Sequence, residues 1–431
     1  MGESCAEERI NIIDMTDERL ESLYQSVFQK LKNSNQESLM RFYNNLSRTE
    51  KEAFLMQLDL IDFTWLEKTI IENQSKKKSA KMIEPMDVLK IEEQKPLKTQ
   101  FQKLGMEQLK KGHVAVVLLA GGQGTRLGLD GPKGTLNIGV TKPLYLFEII
   151  ISKLIKTVKN VGRWIDLYVM ISEKNERATK EFFEYHNYFQ YKKEHIIFFK
   201  QQMVPKVLLN GKIVLEEKGK VAMAPDGNGG WIEALKKCNL YTKIQRDNIK
   251  WINLISVDNP LFNIVDSAFL GAVFSQRAQL GIQVIEKSNP YENVGVVCKI
   301  NNKPDVKEYY EMTKEEQEAV NDKNELCYRY GVILNYLFHV EALEQIENTS
   351  LPIHLAVKKV SYINEQGKKK VPKKENGYIL ERLALDMIHA SDNVLLYEVD
   401  RKTNFAPIKN RTGIDSIESA SKLLLENGYI L

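Results

Sequence analysis

Seven consecutive apolar residues, Val114-Ala115-Val116-Val117-Leu118-Leu119-Ala120, run straight into Gly121-Gly122-Gln123-Gly124-Thr125-Arg126-Leu127-Gly128, with Pro132-Lys133 close behind. An apolar run without alternation predicts a strand buried on both faces, as in a parallel sheet covered by helices. Similar runs follow at Ile165 to Ile171, His195 to Phe199 and Trp251 to Val257, with helical patterns at Glu173 to Phe189 and Ile232 to Leu240 between them. This alternation argues for an α/β core on a mixed, mostly parallel sheet. Beyond about Ser288 the pattern becomes mixed, with short strand-like runs at Val294 to Ile300 and Val394 to Val399.

The amino-terminal part reads differently. Leu20, Leu23, Tyr24, Val27, Phe28 and Leu31 recur at helical spacing, and Ser47-Arg48-Thr49-Glu50 has capping-box form ahead of Phe54, Leu55 and Leu58. A Lys-rich segment from Lys76 to about Lys98 reads as a linker or solvated wrap. The expected organisation is a helical region and linker over 1–110, a catalytic domain over 111–345 and a short α+β region over 346–431.

Composition narrows the function classes. Lys+Arg 61 against Asp+Glu 57 leaves a net charge of +4 over 431 residues, too weak a field to suggest nucleic acid as a partner. The lysine runs at Lys76 to Lys78 and Lys368 to Lys370 are the only support for that reading. No stretch approaches 18 consecutive apolar residues, so no membrane span is expected. The amino terminus is acidic and lacks a signal-peptide core, and Ala6 stands where a myristoylation signal has Ser or Thr. Four scattered cysteines, Cys5, Cys238, Cys298 and Cys327, form neither a metal knot nor a disulfide framework. The expectation is a soluble, reduced, cytoplasmic protein.

The glycine loop carries the chemistry. Glycines leaving a parallel strand let backbone approach a ligand closely and turn N–H groups toward phosphate oxygens. A dinucleotide fingerprint from Gly122 needs glycine where Leu127 stands, and no Gly-Lys-Ser/Thr tripeptide supplies a P-loop. What remains is a glycine loop followed by two cations, Arg126 and Lys133, which suits a triphosphate under attack at one phosphorus. No convincing Ser/His/Asp or Cys/His set accompanies it. A sugar phosphate has a second pKa near ~6, so its attacking oxygen is already largely deprotonated at neutral pH. Holding two polyanions in line and neutralising them is then the main task.

The segment Leu118 to Gly128 resembles the nucleotide loop of eukaryotic UDP-N-acetylglucosamine (UDP-N-acetylhexosamine) pyrophosphorylases. The resemblance extends collinearly from about Val114 to Asn410. It takes in Met223-Ala224-Pro225-Asp226-Gly227-Asn228-Gly229-Gly230, Val257-Asp258-Asn259, Glu286-Lys287-Ser288-Asn289-Pro290, Val306-Lys307-Glu308-Tyr309, Leu351-Pro352-Ile353-His354 and Phe405-Ala406-Pro407-Ile408-Lys409-Asn410. It implies a Rossmann-like, GT-A-like nucleotidyltransferase fold. The implied reaction joins UTP and N-acetylglucosamine 1-phosphate into UDP-N-acetylglucosamine and pyrophosphate, with Mg²⁺ as cofactor and Mn²⁺ as its substitute. By the same resemblance, Arg126, Lys133 and Lys409 bind phosphates and support transfer, and Asp258 holds the metal. Gly121, Gly122, Gly124 and Gly227 lie against the nucleotide, with the backbone of Gly122 and Gly227 against the uracil. Gln201, or its neighbour Gln202, reads the base edge. Asn228, Gly295, Glu308 and Tyr309 contact the sugar, and Asn335 binds the N-acetyl group. Asn335 also stands in the apolar run Val332 to Val340, where a polar group must find partners. None of the six histidines is given a catalytic role, and His354 is expected to be structural.

Two departures stand out. Relatives carry lysine in an Asn-Gly-x-Lys motif where this chain has Asn376-Gly377-Tyr378-Ile379, so phosphate affinity is expected to differ, with Lys373, Lys374 or Lys409 as substitutes. Larger relatives continue into a β-rich domain beyond the segment that ends here at Leu431, so a monomer is expected. The alternatives are the same chemistry on N-acetylgalactosamine or glucose 1-phosphate, and a weakly catalytic UDP-sugar sensor.

Overall fold

The computed structural model describes residues 15–75, 82–349 and 351–431. The acidic amino terminus and the Lys76 to Lys78 run lie outside them. At its centre is a mixed ten-stranded sheet. Strands Trp251–Ser256, Val114–Leu119, Leu167–Ile171 and Ile196–Lys200 lie side by side and all run parallel. On the other side of Trp251–Ser256 the sheet continues through the antiparallel strand Tyr330–His339, which also pairs with Leu280–Glu286 and Val296–Ile300. Leu280–Glu286 in turn pairs in parallel with Val394–Glu398.

The strand Val114–Leu119 is buried along its whole length. Its alternate residues feed two separate cores: Val114, Val116 and Leu118 pack on one face, while Ala115, Val117 and Leu119 pack on the other. Two apolar faces explain why the run does not alternate. The helix Leu146–Val161 covers the first face with Leu146, Phe147, Ile150, Leu154 and Val158.

Two expected helices come out shorter. Glu176–Tyr185 begins after Asn175, whose side chain is tied back to the preceding turn, and ends where Asn187 to Gln190 take positive φ. The pattern from Ile232 to Leu240 is two helices, Trp231–Lys237 and Leu240–Arg246, broken by Asn239 at φ 55°. Asparagine tolerates that left-handed conformation better than most residues.

The amino-terminal helices Asp17–Asn33, Arg48–Asp59 and Phe63–Ser75 share a core with Val204, Val207, Ile213, Val221, Ile363 and Leu380. The capping box forms: Ser47 N–H donates to Glu50 Oε2 at 2.7 Å, and Glu50 N–H donates to Ser47 Oγ at 3.4 Å. The wrap after residue 81 is not merely solvated, because Ile83–Glu84 adds an edge strand against Lys299 and Ile300. Cys298 and Cys327 are free thiols. Among the described residues no helix is long and apolar enough to cross a membrane.

Candidate active site

The glycine loop leaves the carboxyl end of Val114–Leu119, where ligands bind in open α/β sheets. Asn175, fully buried, latches the loop: its Oδ1 accepts from Ser172 N–H at 2.7 Å and its Nδ2 donates to the Ala120 carbonyl at 2.9 Å. A Cβ at Gly121 would stand 2.6 Å from Gln201 Oε1, so a side chain there would push that amide aside. Gly122 faces open space. Its carbonyl accepts from Lys133 N–H at 3.1 Å, and Gly124 N–H donates to Gly131 O at 2.9 Å, so the loop closes on itself. Arg126 is exposed on its short 3-10 turn, Thr125–Leu127. Lys133 is buried, with Nζ 2.8 Å from Asp258 Oδ1.

A second glycine turn meets the first through Gln201. Its Nε2 donates to the Gly227 carbonyl at 2.6 Å, whereas the neighbouring Gln202 accepts from Lys237 Nζ. Gly227 sits at φ 92° with Arg382 backbone so close that a Cβ would be 2.2 Å from its carbonyl. Asn228 Oδ1 accepts from Ala384 N–H at 2.8 Å, and Gly229 N–H donates to Arg382 O at 2.9 Å. Beneath this turn Asp226 is 1% exposed. Burial raises its carboxyl to about 6, Glu233 adds to the rise, and Arg382, at 2.9 Å, opposes it.

Asp258 follows the strand Trp251–Ser256, with a carboxylate that is partly exposed. Its carbonyl accepts from Ile408 N–H at 2.9 Å, which brings the Lys409 backbone alongside. Lys409 Nζ is 3.2 Å from Asp415 Oδ2. Asn259 anchors the same turn, donating from Nδ2 to Asn404 O at 2.8 Å and accepting from Ala406 N–H at 2.9 Å. Farther along the sheet, Gly295 lies against Glu308, with a Cβ position 3.7 Å from Glu308 Oε2. Burial raises the Glu308 carboxyl, Glu311 and Asp386 add to the rise, and His354 and Lys409 act against it. His354 Nε2 and Asp386 Oδ2 are 2.8 Å apart. Tyr309 is half-exposed beside Glu308.

A sequence profile of the UTP--glucose-1-phosphate uridylyltransferase family matches residues 60–427. The chain belongs to this family. It is 32% identical to the human UDP-N-acetylhexosamine pyrophosphorylase-like protein 1, over 94% of this chain and 84% of that one. It is 34% identical to the Saccharomyces cerevisiae UDP-N-acetylglucosamine pyrophosphorylase, over 88% and 84% respectively. The solved Trypanosoma brucei uridine diphosphate N-acetylglucosamine pyrophosphorylase, a complex with inhibitor, superposes with a TM-score of 0.81 at 26% identity, covering 94% of this chain and 84% of that one.

Within this uridylyltransferase Asn335, expected at the N-acetyl group, lies inside the central sheet. Asn335 is 1% exposed and its amide is bonded inside the sheet. Asn335 Oδ1 accepts from Asn253 Nδ2 at 2.7 Å, and its Nδ2 donates to Gln283 Oε1 at 2.8 Å and Asn263 O at 3.2 Å. Leu334 takes φ 53°, and the pairing with Leu280–Glu286 slips between Ile282 and Val284. Asn335 therefore ties three strands together at the position expected to meet the N-acetyl group. Ile379 lies on Gly377–Glu381 opposite Ala356, half-buried, while Lys373 and Lys374 are exposed. Among the described residues no group of three or more His, Cys, Asp or Glu is arranged to hold a metal. Sequence reasoning missed the Asn175 latch and the Asn259 anchor. The one signal for each was an asparagine just past the end of a buried apolar run.

Proposed function

We propose that this chain makes UDP-N-acetylglucosamine and pyrophosphate from UTP and N-acetylglucosamine 1-phosphate. The observation that carries the reading is the meeting of two glycine turns, bridged by Gln201, beside the Lys133–Asp258 pair at the carboxyl end of parallel strands. The names of the human and yeast relatives support an acetamido sugar.

The uracil lies between Gly121 and Gly227, whose lack of side chains leaves flat backbone for a base. Gln201 gives up its bond to Gly227 in part to read the base edge, since an amide both donates and accepts. The sugar rests against Gly295, Asn228, Glu308 and Tyr309. Lys133 and Arg126 hold the triphosphate, and Lys409 neutralises the phosphate of the incoming sugar. The attacking oxygen needs no protein base at neutral pH, because the sugar phosphate has already lost its second proton.

One carboxylate in partial contact with solvent suits Mg²⁺, which takes one or two carboxylates and fills its remaining positions with phosphate oxygens and water. Asp258 would hold it, and Mn²⁺ is the expected substitute. Once bound, the ion supplies charge neutralisation on the leaving pyrophosphate. We also infer that the chain acts in the cytoplasm without nucleic acid or membrane. That inference rests on the weak net charge and the apolar pattern of the sequence.

Pyrophosphate release from UTP, measured with N-acetylglucosamine, N-acetylgalactosamine and glucose 1-phosphates in Mg²⁺ and in EDTA, tests the reading. The expected result is turnover that EDTA abolishes and that is fastest with an acetamido sugar. Faster turnover with glucose 1-phosphate overturns the substrate. Tight UDP-sugar binding with no turnover on any of the three makes the protein a sensor instead.

A further inference from the structure

The helix Leu146–Val161 turns an apolar face to the core, yet Lys153 on it reaches inward. Its Nζ donates to the carbonyl oxygens of Pro260, Leu261 and Phe262, at 2.7, 2.7 and 2.9 Å. An ammonium has three N–H bonds, and three carbonyls take them all. The Tyr429 ring lies 5.8 Å away. Burial lowers the ammonium to about 7, while the three acceptors favour its charged form.

The gripped residues are consecutive, buried, and directly follow Asp258-Asn259. The turn is thus held at two points, by Asn259 on one side and Lys153 on the other. Without the ammonium, three buried carbonyls in succession would lose their donor, and buried acceptors without donors are costly enough to move backbone. The strand end that aims Asp258 at Lys133 is the part free to shift.

We infer that Lys153 is a positioning residue: its three-carbonyl grip on residues 260–262 fixes the Asp258 carboxylate in the geometry the reaction uses. This rests on the proposed role of Asp258. A misplacement of about 1 Å can cost ~10²-fold in rate, so Lys153→Met is expected to lower kcat about 10- to 100-fold while KM changes less than about twofold. Exchange of the Leu261 and Phe262 amides should quicken at least about tenfold, as expected where local stability is lost.

Leu154→Ala, a core truncation on the same helix, controls for general destabilisation and should leave kcat and those two amides unchanged after a similar loss of Tm. Lys153→Arg, which keeps charged donors, should recover part of the rate. If Lys153→Met does not fold, Lys153→Gln, which keeps one donor, gives the same readouts at smaller amplitude. An unchanged kcat in the Lys153 variants, or an equal fall in Leu154→Ala, overturns the inference. A wild-type protein with no pyrophosphate release sinks the functional reading instead, and the exchange comparison still decides whether Lys153 holds the turn.

Discussion

Lys133 Nζ lies 2.8 Å from Asp258 Oδ1, joining the glycine loop after one parallel strand to the end of its neighbour. The pair holds the Lys133 side chain aimed before any phosphate arrives. Pre-aligned charge of this kind needs no reorganisation when the leaving group develops its own. Lys133→Ala should therefore lower turnover by ~10²–10³, in line with removal of other transition-state charge donors, and Arg126→Ala should fall in the same range. Steady-state kinetics decide it, and near-normal kcat in both variants would contradict the assignment.

Asp258→Asn keeps the shape of the side chain and removes its charge. Binding of Mn²⁺ in the presence of UTP, followed by electron paramagnetic resonance, should weaken at least about tenfold, because a hard cation depends on carboxylate charge. Unaltered Mn²⁺ binding would move the metal site elsewhere.

Asn335→Ala separates a role confined to the sheet from the expected contact with the N-acetyl group. The substitution strands Asn253 and Gln283 inside the sheet, and an unpaired buried polar group costs about 1–3 kcal/mol. Tm should fall while the ratio of rates on acetamido and glucose substrates stays within a factor of about two. A large change in that ratio at unchanged Tm would restore Asn335 to the sugar pocket.

Asp226 gives a pH signature. Its folded value of about 6 lies above the usual 3.8, so the native state holds a proton that the unfolded chain releases between those values. Its contribution to stability is complete below pH 3.8 and lost as pH rises through about 6. Relative to Asp226→Asn, the wild type should lose up to about 3 kcal/mol of stability between pH 4 and pH 7, each pKa unit counting for about 1.4 kcal/mol. Denaturant unfolding at several pH values measures this. A difference that does not vary with pH would mean Asp226 is not perturbed.

Much of the scaffold was legible because it rests on local or periodic signals. Val114 to Ala120 reads as a doubly buried strand since both its faces are apolar, and the Ser47–Glu50 cap is complete within one helical turn. The glycine loop could be read because glycines directly after a buried strand serve close approach of backbone to a ligand. The partners of Asn335 were not legible because Asn253 and Gln283 are 82 and 52 positions away, and only the sheet brings them together. The left-handed residues Asn239 and Leu334 shift periodicity in ways that no spacing rule anticipates. Lys153 carries no local signal, because the carbonyls it grips belong to a turn more than 100 positions away.

A crystal structure with UDP-N-acetylglucosamine bound tests the account most directly. The uracil is predicted between Gly121 and Gly227, with the diphosphate within reach of Lys133 and the sugar against Gly295 and Glu308. A nucleotide bound away from the turn at Gly121 to Gly124 would contradict it.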